Sequence, residues 1–298
     1  MAFKKFKDFL KGFLPASSKT TNMKLGQIDR AINRLRDTIN KNAAIDAACW
    51  SNKIRDLHRD TFSSYKNSNE GKDLVVIGTG PTLNYYNPIS SAYHIGVNGA
   101  CKKEELKLDY YFMADGRSIG NTLDLEDIKK MNCPKFFGIY LTRTIHKCEI
   151  PDAVADEIGA QRYVFLYYRN TRDIPLDIEY FPVWDHNSII QHAWYFALFT
   201  NPRRIFLVGT DANVDKGAHF NDLVAVDVVK CNEIIESAKM LKEHAEVFYP
   251  HIEFYSINPV GLKGIFNDVY TQSYLDANPE VKATLGDDYV LLDDVIGV

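Results

Sequence analysis

The sequence predicts an α/β fold: a doubly wound, mainly parallel sheet with helices on its faces, preceded by a helical N-terminal extension. Three observations predict it. Leu74 to Ile77 are four consecutive apolar residues without alternation, the mark of a strand buried on both faces. Segments of this kind alternate along the chain with stretches of helical periodicity, which is how parallel strands are connected. Small or polar residues follow four of the strands, at Gly78-Thr79-Gly80, Asn98-Gly99, Asp115-Gly116 and Gly209-Thr210-Asp211, where an open parallel sheet gathers its ligands.

The first element is a basic amphipathic helix over residues 1–16. Phe3, Phe6, Phe9, Leu10, Phe13 and Leu14 share one face, Lys4, Lys5, Lys7 and Lys11 lie largely on the other, and Pro15 ends it. Residues 1–14 suit the headgroup region of an anionic membrane, and equally a helix docked on its own domain or a free tail. A helical segment comes next, over 23–66. Leu25, Ile28, Ile32, Leu35 and Ile39 repeat with 3-4-3-4 spacing, a coiled-coil seam little more than two heptads long. Self-association into a homo-oligomer and packing against the main domain are both open. Trp50, Ile54 and Leu57 begin a second helix, and the polar stretch Lys66 to Lys72 reads as the boundary of the main α/β domain, 73–268.

Within that domain, strands are expected at Leu74–Ile77, Tyr93–Val97, Asp109–Ala114, Lys135–Ile139, Arg162–Tyr167, Arg204–Val208 and Glu253–Ile257. Helices are expected at Leu123–Met131, at the mostly apolar Ser188–Thr200, and from Asp222 to Val247. Residues 269–298 form a C-terminal extension, acidic near Asp287, Asp288, Asp293 and Asp294, with no readable chemistry.

Composition narrows the function. With 298 residues, 46% hydrophobic and 25% charged, the chain is long enough for one large domain with attachments and has the makeup of a soluble globular protein. A net charge of −4 gives no general attraction for nucleic acid, so an anionic ligand must be held by local groups. The five cysteines form no CxxC pair, which points away from a disulfide framework or a zinc site and towards a reducing cytoplasm. No apolar run approaches the ~20 residues that cross a bilayer, and the N-terminus lacks the apolar block of a secretory signal. The expected location is cytoplasmic, peripheral to the inner face of the membrane if residues 1–14 bind it.

The loop Gly78-Thr79-Gly80-Pro81-Thr82 carries the first chemical signal. Two glycines at a strand end let the backbone approach a ligand, Pro81 presets a turn, Thr82 can cap a following helix, and backbone N–H groups there suit a phosphate. The loop lacks the lysine of a Walker motif and the third glycine of the dinucleotide fingerprint. A turn that binds nothing is the alternative. Asn98, Asp115, Gly209 and Asp211 at the other strand ends would lie along the same edge, with Asn and Asp able to orient a ribose or base.

Taken in order, IGTGPTL, GVNGA, LDYYFMADGRS and HNSIIQHAWYFALFTNPRRIFLVGTDAN resemble the bacterial sialyltransferases of glycosyltransferase family 42. They are similar also to flagellin-modifying motility accessory factors and to 6-hydroxymethylpterin pyrophosphokinase-like proteins. The resemblance covers about Asp73 to Asp222. It implies a Rossmann-like sheet of the sialyltransferase type, a variant of the GT-A arrangement, binding a CMP-sugar donor. Gly78, Thr79, Gly80, Pro81 and Thr82 would wrap its phosphate and ribose, and Asn98 and Asp115 would contact the nucleotide. Asn187 and Ser188 would begin a phosphate-facing helix, while Gly209 and Asp211 would lie near the cytosine. Asn258 with Pro259 matches a turn that closes over the nucleotide. Thr82 stands for the usual Ser and keeps its hydroxyl; Asn187 stands for a Ser and does not.

A CMP-linked nonulosonic acid of the sialic acid or Kdo type already carries a good leaving group. Transfer to a glycan or glycolipid hydroxyl, with inversion, needs one base and a few hydrogen-bond donors for the departing phosphate. The resemblance implies a histidine base and no metal or other cofactor. His219, in the loop after Asp211, is the first candidate, His186 the second, and Asp211 stands beside them as a third catalytic candidate. His192 lies within an apolar helix and reads as core. Asp215 and Asp222 flank His219 as further carboxylates, and Arg143, Lys147, Arg169 and Arg172 could grip an acidic acceptor or form a solvated face. Two other readings remain open: an ATP- and Mg²⁺-dependent pyrophosphokinase using Asp115 and Asp211, and a nucleotide-binding scaffold without chemistry.

Overall fold

A computed structural model describes residues 18–49, 52–116, 119–120, 123–140, 150–167, 177–185, 188–213, 220 and 228–297. The chain divides into two compact units, Met1–Ser51 and Asn52–Val298. In the first, the described residues form one helix, α1 (Ser18–Cys49). The expected basic helix over 1–16 falls outside the described residues. No helix among the described residues is long and apolar enough to cross a membrane.

The second unit is built on nine parallel strands. In chain order they are β1 (Asp73–Ile77), β2 (Ala92–Val97), β3 (Tyr110–Met113), β4 (Lys135–Tyr140), β5 (Gln161–Tyr167), β6 (Val183–Asp185), β7 (Arg204–Val208), β8 (Glu253–Ile257) and β9 (Asn267–Val269). Across the sheet they stand in the order β6-β5-β4-β3-β2-β1-β7-β8-β9. The chain therefore winds outward from β1 in one direction as far as β6, returns to β7 on the other side of β1, and winds outward again. This is the doubly wound topology the apolar runs predict. Its switch point lies between β1 and β7, where Ile77 is level with Val208 on one side and Gly96 on the other.

Both faces of the sheet are covered. All five residues of β1 are buried. Val75 and Ile77 pack in one cluster with Tyr111, Met113, Phe137, Phe206 and Val208, and the C-terminal Leu292 joins the same cluster. Strand alternation sends Leu74, Val76, Phe112 and Phe136 to the opposite face. There the helix Ile189–Phe199, here called α5, lies across β1, β2 and β3. Every residue from Ile190 to Phe199 is buried, which explains why this helix is apolar all round instead of striped. Phe196 sits 5.2 Å from the Phe112 ring and 5.1 Å from Phe136, and Phe112 stacks on Phe136 at 4.6 Å. His192 belongs to this core: it is 1% exposed, its Nδ1 meets the Tyr163 hydroxyl at 2.6 Å, and burial lowers its pKa to about 3.

Four further helices complete the first part of the unit and its connections: α2 (Asn52–Phe62), α3 (Leu125–Lys130), α4 (Asp152–Glu157) and, after β7, the long α6 (Val228–Phe248). α2 docks on β5 through a histidine. The Val164 N–H donates to His58 Nε2 at 2.8 Å and His58 Nδ1 lies 2.8 Å from the Ile178 carbonyl, so the ring is the Nδ1–H tautomer. After β9 come α7 (Gln272–Ala277), α8 (Pro279–Leu285) and α9 (Leu292–Ile296).

At the amino end of β1, Asp73 is 2% exposed and meets both Arg203 and Arg204 in two-oxygen contacts of 2.6 to 3.0 Å. Arg204 also donates to the carbonyl of Val295 in α9. The chain's last helix is thus tied to the start of its central strand.

Candidate functional site

In a parallel sheet every strand ends on the same edge, so adjacency in the sheet becomes proximity at that edge. The loops after β3, β2, β1, β7 and β8 are five consecutive neighbours. They carry Asp115, Asn98, Gly78 to Thr82, Gly209 to Asp211, and Asn258 respectively. α5 joins β6 to β7, so its amino end, at Ser188, also starts from this edge. The structure thus brings to one edge the described site residues that the sequence singles out.

The glycines have a specific task there. A Cβ on Gly78 would stand 2.3 Å from the Gly209 carbonyl oxygen, and one on Gly80 would stand 2.6 Å from Asp211 Cγ. Gly209 itself has φ +67. The two loops therefore close against each other across the switch point, and the missing side chains are accounted for by that contact instead of by the approach of a ligand. The N–H of Gly78 donates to Val208 O at 2.8 Å and that of Gly80 to Gly209 O at 2.7 Å. The Thr82 N–H donates to Asp211 Oδ2 at 2.8 Å, and the Thr82 hydroxyl donates to Asp211 Oδ1. Three N–H groups expected to face a phosphate are engaged within the protein. Thr82 does not cap a helix, because it sits inside the short 3-10 helix Pro81–Tyr85.

Asp211, 5% exposed, thus clamps the β1 loop with both carboxylate oxygens. The loop after β7 then returns over the same turn. The Phe220 N–H donates to the Thr79 carbonyl at 2.6 Å, and Asn84 Nδ2 donates to the Phe220 carbonyl at 3.0 Å.

The loop after β8 closes from the other side. Gly261 N–H donates to Asp211 O at 2.8 Å, with a Cβ at Gly261 only 2.4 Å from Ala212 O. Asn258, fully buried at φ +51, is held by Thr271: its Oδ1 accepts from Thr271 N–H at 2.8 Å and its Nδ2 meets Thr271 Oγ1 at 3.0 Å. Its side chain fastens the start of α7. That helix covers the 3-10 turn, with Tyr274 edge-on to Tyr85 at 5.4 Å and Ser273 Oγ donating to Tyr85 O at 3.0 Å. Burial raises the Tyr274 phenol pKa, and the nearby Asp211 carboxylate raises it further.

Asn98 Oδ1 and Thr210 Oγ1 are shielded from solvent and have no hydrogen-bond partner among the described residues, and Thr210 Oγ1 lies against the β1 loop, 3.0 Å from where a Cβ of Gly78 would stand. They follow β2 and β7, the two strands that flank β1. Asn98 holds φ +44 immediately after a buried strand, a conformation Asn tolerates better than most residues. Its carbonyl accepts from the Tyr111 hydroxyl at 2.9 Å, which fixes the backbone there. Asp115 is half-buried after β3. Ser188 is half-buried at the start of α5, where its N–H donates to Asp185 Oδ1 at 3.0 Å.

His219, His186 and Asn187 lie outside the described residues, as do Asp215, Asp222, Arg143, Lys147, Arg169 and Arg172. Among the described residues, no group of three or more His, Cys, Asp and Glu side chains is placed to hold a metal ion. The structure adds participants that residue types alone do not reveal. Phe220, Gly261 and Thr271 act through backbone or local contacts, and Tyr85 with Tyr274 through a ring contact between distant parts of the sequence. No protein-family model matches the chain, and no curated protein sequence matches it.

Proposed function

We propose that the β1/β7 edge binds the CMP moiety of an activated nonulosonic acid and that the protein transfers this sugar to a hydroxyl of a glycan or glycolipid. The observation that carries the reading is the pair of shielded, unpartnered polar atoms, Asn98 Oδ1 and Thr210 Oγ1, on either side of the clamped β1 loop at the switch point. A buried polar atom without a partner costs free energy, so a ligand that supplies the partner binds with that cost relieved. Asn98 Oδ1 can accept from a ribose hydroxyl or a base amino group, and Thr210 Oγ1 can donate to a phosphate oxygen. The ordered motifs that resemble those of family 42 transferases supply the nucleotide identity.

In this reading the β1 loop is a rigid floor, held by Asp211 and covered by α7, and Asp211 is a positioning residue, not the base. The acceptor hydroxyl loses its proton to a histidine, for which His219 is the candidate. Its oxygen forms the new bond to the anomeric carbon as the bond to the phosphate oxygen breaks, and CMP departs with both electrons of that bond.

Calorimetric titration of the full chain with CMP, with a CMP-linked nonulosonic acid, and with ATP plus Mg²⁺ tests the proposal. Binding of the cytidine ligands without metal, weakened about tenfold or more in Asn98→Ala, is the expected result. Binding of ATP with Mg²⁺ and not of CMP would select the pyrophosphokinase reading, and no binding of either would overturn a nucleotide site at this edge.

A further inference from the structure

We infer that α1 pairs with the α1 of a second copy of this chain, antiparallel, through the stripe Ile28, Ile32, Leu35 and Ile39. All four side chains are more than half exposed, at 53%, 55%, 62% and 58%. They are the largest apolar groups the described part of the helix presents to solvent, and they repeat at 4-3-4 spacing. Two positions per heptad make the narrow seam that takes one partner helix; a helix lying on a membrane needs a wider apolar face. A helix of 32 residues, about 48 Å long, is stabilised mainly by what covers its apolar stripe.

The occupant is set by charge and register. Asp29 and Arg36 are one heptad apart and flank the stripe on the same side. When two copies run antiparallel about a two-fold axis between Ile32 and Leu35, Ile28 meets the partner's Ile39 and Ile32 meets the partner's Leu35. Each of the four is then covered, and Asp29 falls opposite the partner's Arg36 twice over. The patch is complementary to itself, as a two-fold interface requires. A parallel, in-register pair would set Asp29 against the partner's Lys24 but Arg36 against the partner's Ala31, so it pairs one of the two charges where the antiparallel arrangement pairs both.

Sedimentation equilibrium on the full chain tests this. The expected mass is twice the 34.0 kDa of one chain, falling to one chain in Leu35→Asp with the thermal transition of the α/β unit unchanged. Asp29→Arg leaves the stripe intact but sets Arg against Arg, and should raise the dissociation constant about tenfold or more. The double exchange Asp29→Arg with Arg36→Asp should restore it. A wild-type chain that stays monomeric at about 100 µM, or a dimer indifferent to Leu35→Asp, would overturn the interface. Failure of the double exchange to restore pairing would overturn the antiparallel register.

Discussion

Single residues show how little slack the switch point has. Gly80 faces Asp211 Cγ at 2.6 Å and the Gly209 carbonyl at 2.8 Å from where a Cβ would stand, and the second of these is backbone that cannot swing away. Gly80→Ala should therefore cost about 2–3 kcal/mol in urea unfolding, as overpacking of a tight core does, and should weaken CMP binding by prying the β1 loop from Asp211. Asp73 makes the opposite case, a charge that must stay. Burial pushes its pKa up, but the guanidinium groups of Arg204 and Arg203 outweigh that and hold it below the ordinary carboxylate value. Asp73→Ala would strand Arg204, whose side chain is only 14% exposed, and should cost about 3–5 kcal/mol. Most of this loss belongs to Arg204, because Arg203 is 58% exposed and screened by water. The double variant with Arg204→Met should recover part of it, read by the same unfolding curves.

At the scale of elements, the docking of α2 on β5 carries a pH dependence. Burial lowers the His58 pKa from its ordinary 6.5 to about 4, against the opposing effect of its bonds to Ile178 and Val164. The unfolded chain binds this proton more readily, so His58 contributes stability that is full above pH 6.5 and is lost as pH falls towards 4. The shift corresponds to a few kcal/mol, roughly, and burial of His192 and His244, lowered to about 3 and about 4, acts in the same direction. Urea midpoints should decline from pH 6.5 to pH 4, with the protection factors of the α2 amides falling over the same range; a flat profile would contradict the lowered pKa. The elements also show what the sequence could disclose. β1, β3, β4, β5 and β7 are legible because burial leaves each a run of apolar residues, and β2 and β8 are legible although His94 and Ser256 interrupt theirs. β6 and β9 are not, since Val183–Asp185 and Asn267–Val269 are three residues each and take their form from the neighbour they pair with. The turn after β1 reads as a helix start by composition, yet Asp211, 129 residues away, captures the Thr82 hydroxyl that would have capped it.

For the whole molecule, the sheet edge that carries the candidate residues is legible in the sequence and its wiring is not. Strand-end residue types place Asn98, Asp115 and Asp211 together once the sheet is parallel, but which side chain is left unpartnered depends on contacts between loops far apart in the sequence. The same distinction separates the two units. α2 resembles a continuation of α1 in periodicity, yet His58, Thr61 and Phe62 are buried against the sheet, while the stripe of α1 is exposed. Removal of residues 1–51 should therefore leave a chain that unfolds in one cooperative transition. Its midpoint should lie within about 2 °C of the full chain's, because the described core of the sheet is drawn entirely from residues after Asn52. The truncated chain should also retain CMP affinity, since the atoms proposed to contact the nucleotide all follow Asn52. It should sediment as a single chain, since the pairing stripe has gone. Calorimetry, titration and sedimentation on this one variant separate the two proposals: loss of nucleotide binding with an unchanged transition would tie the site to the first unit, and a persistent dimer would move the interface to the second.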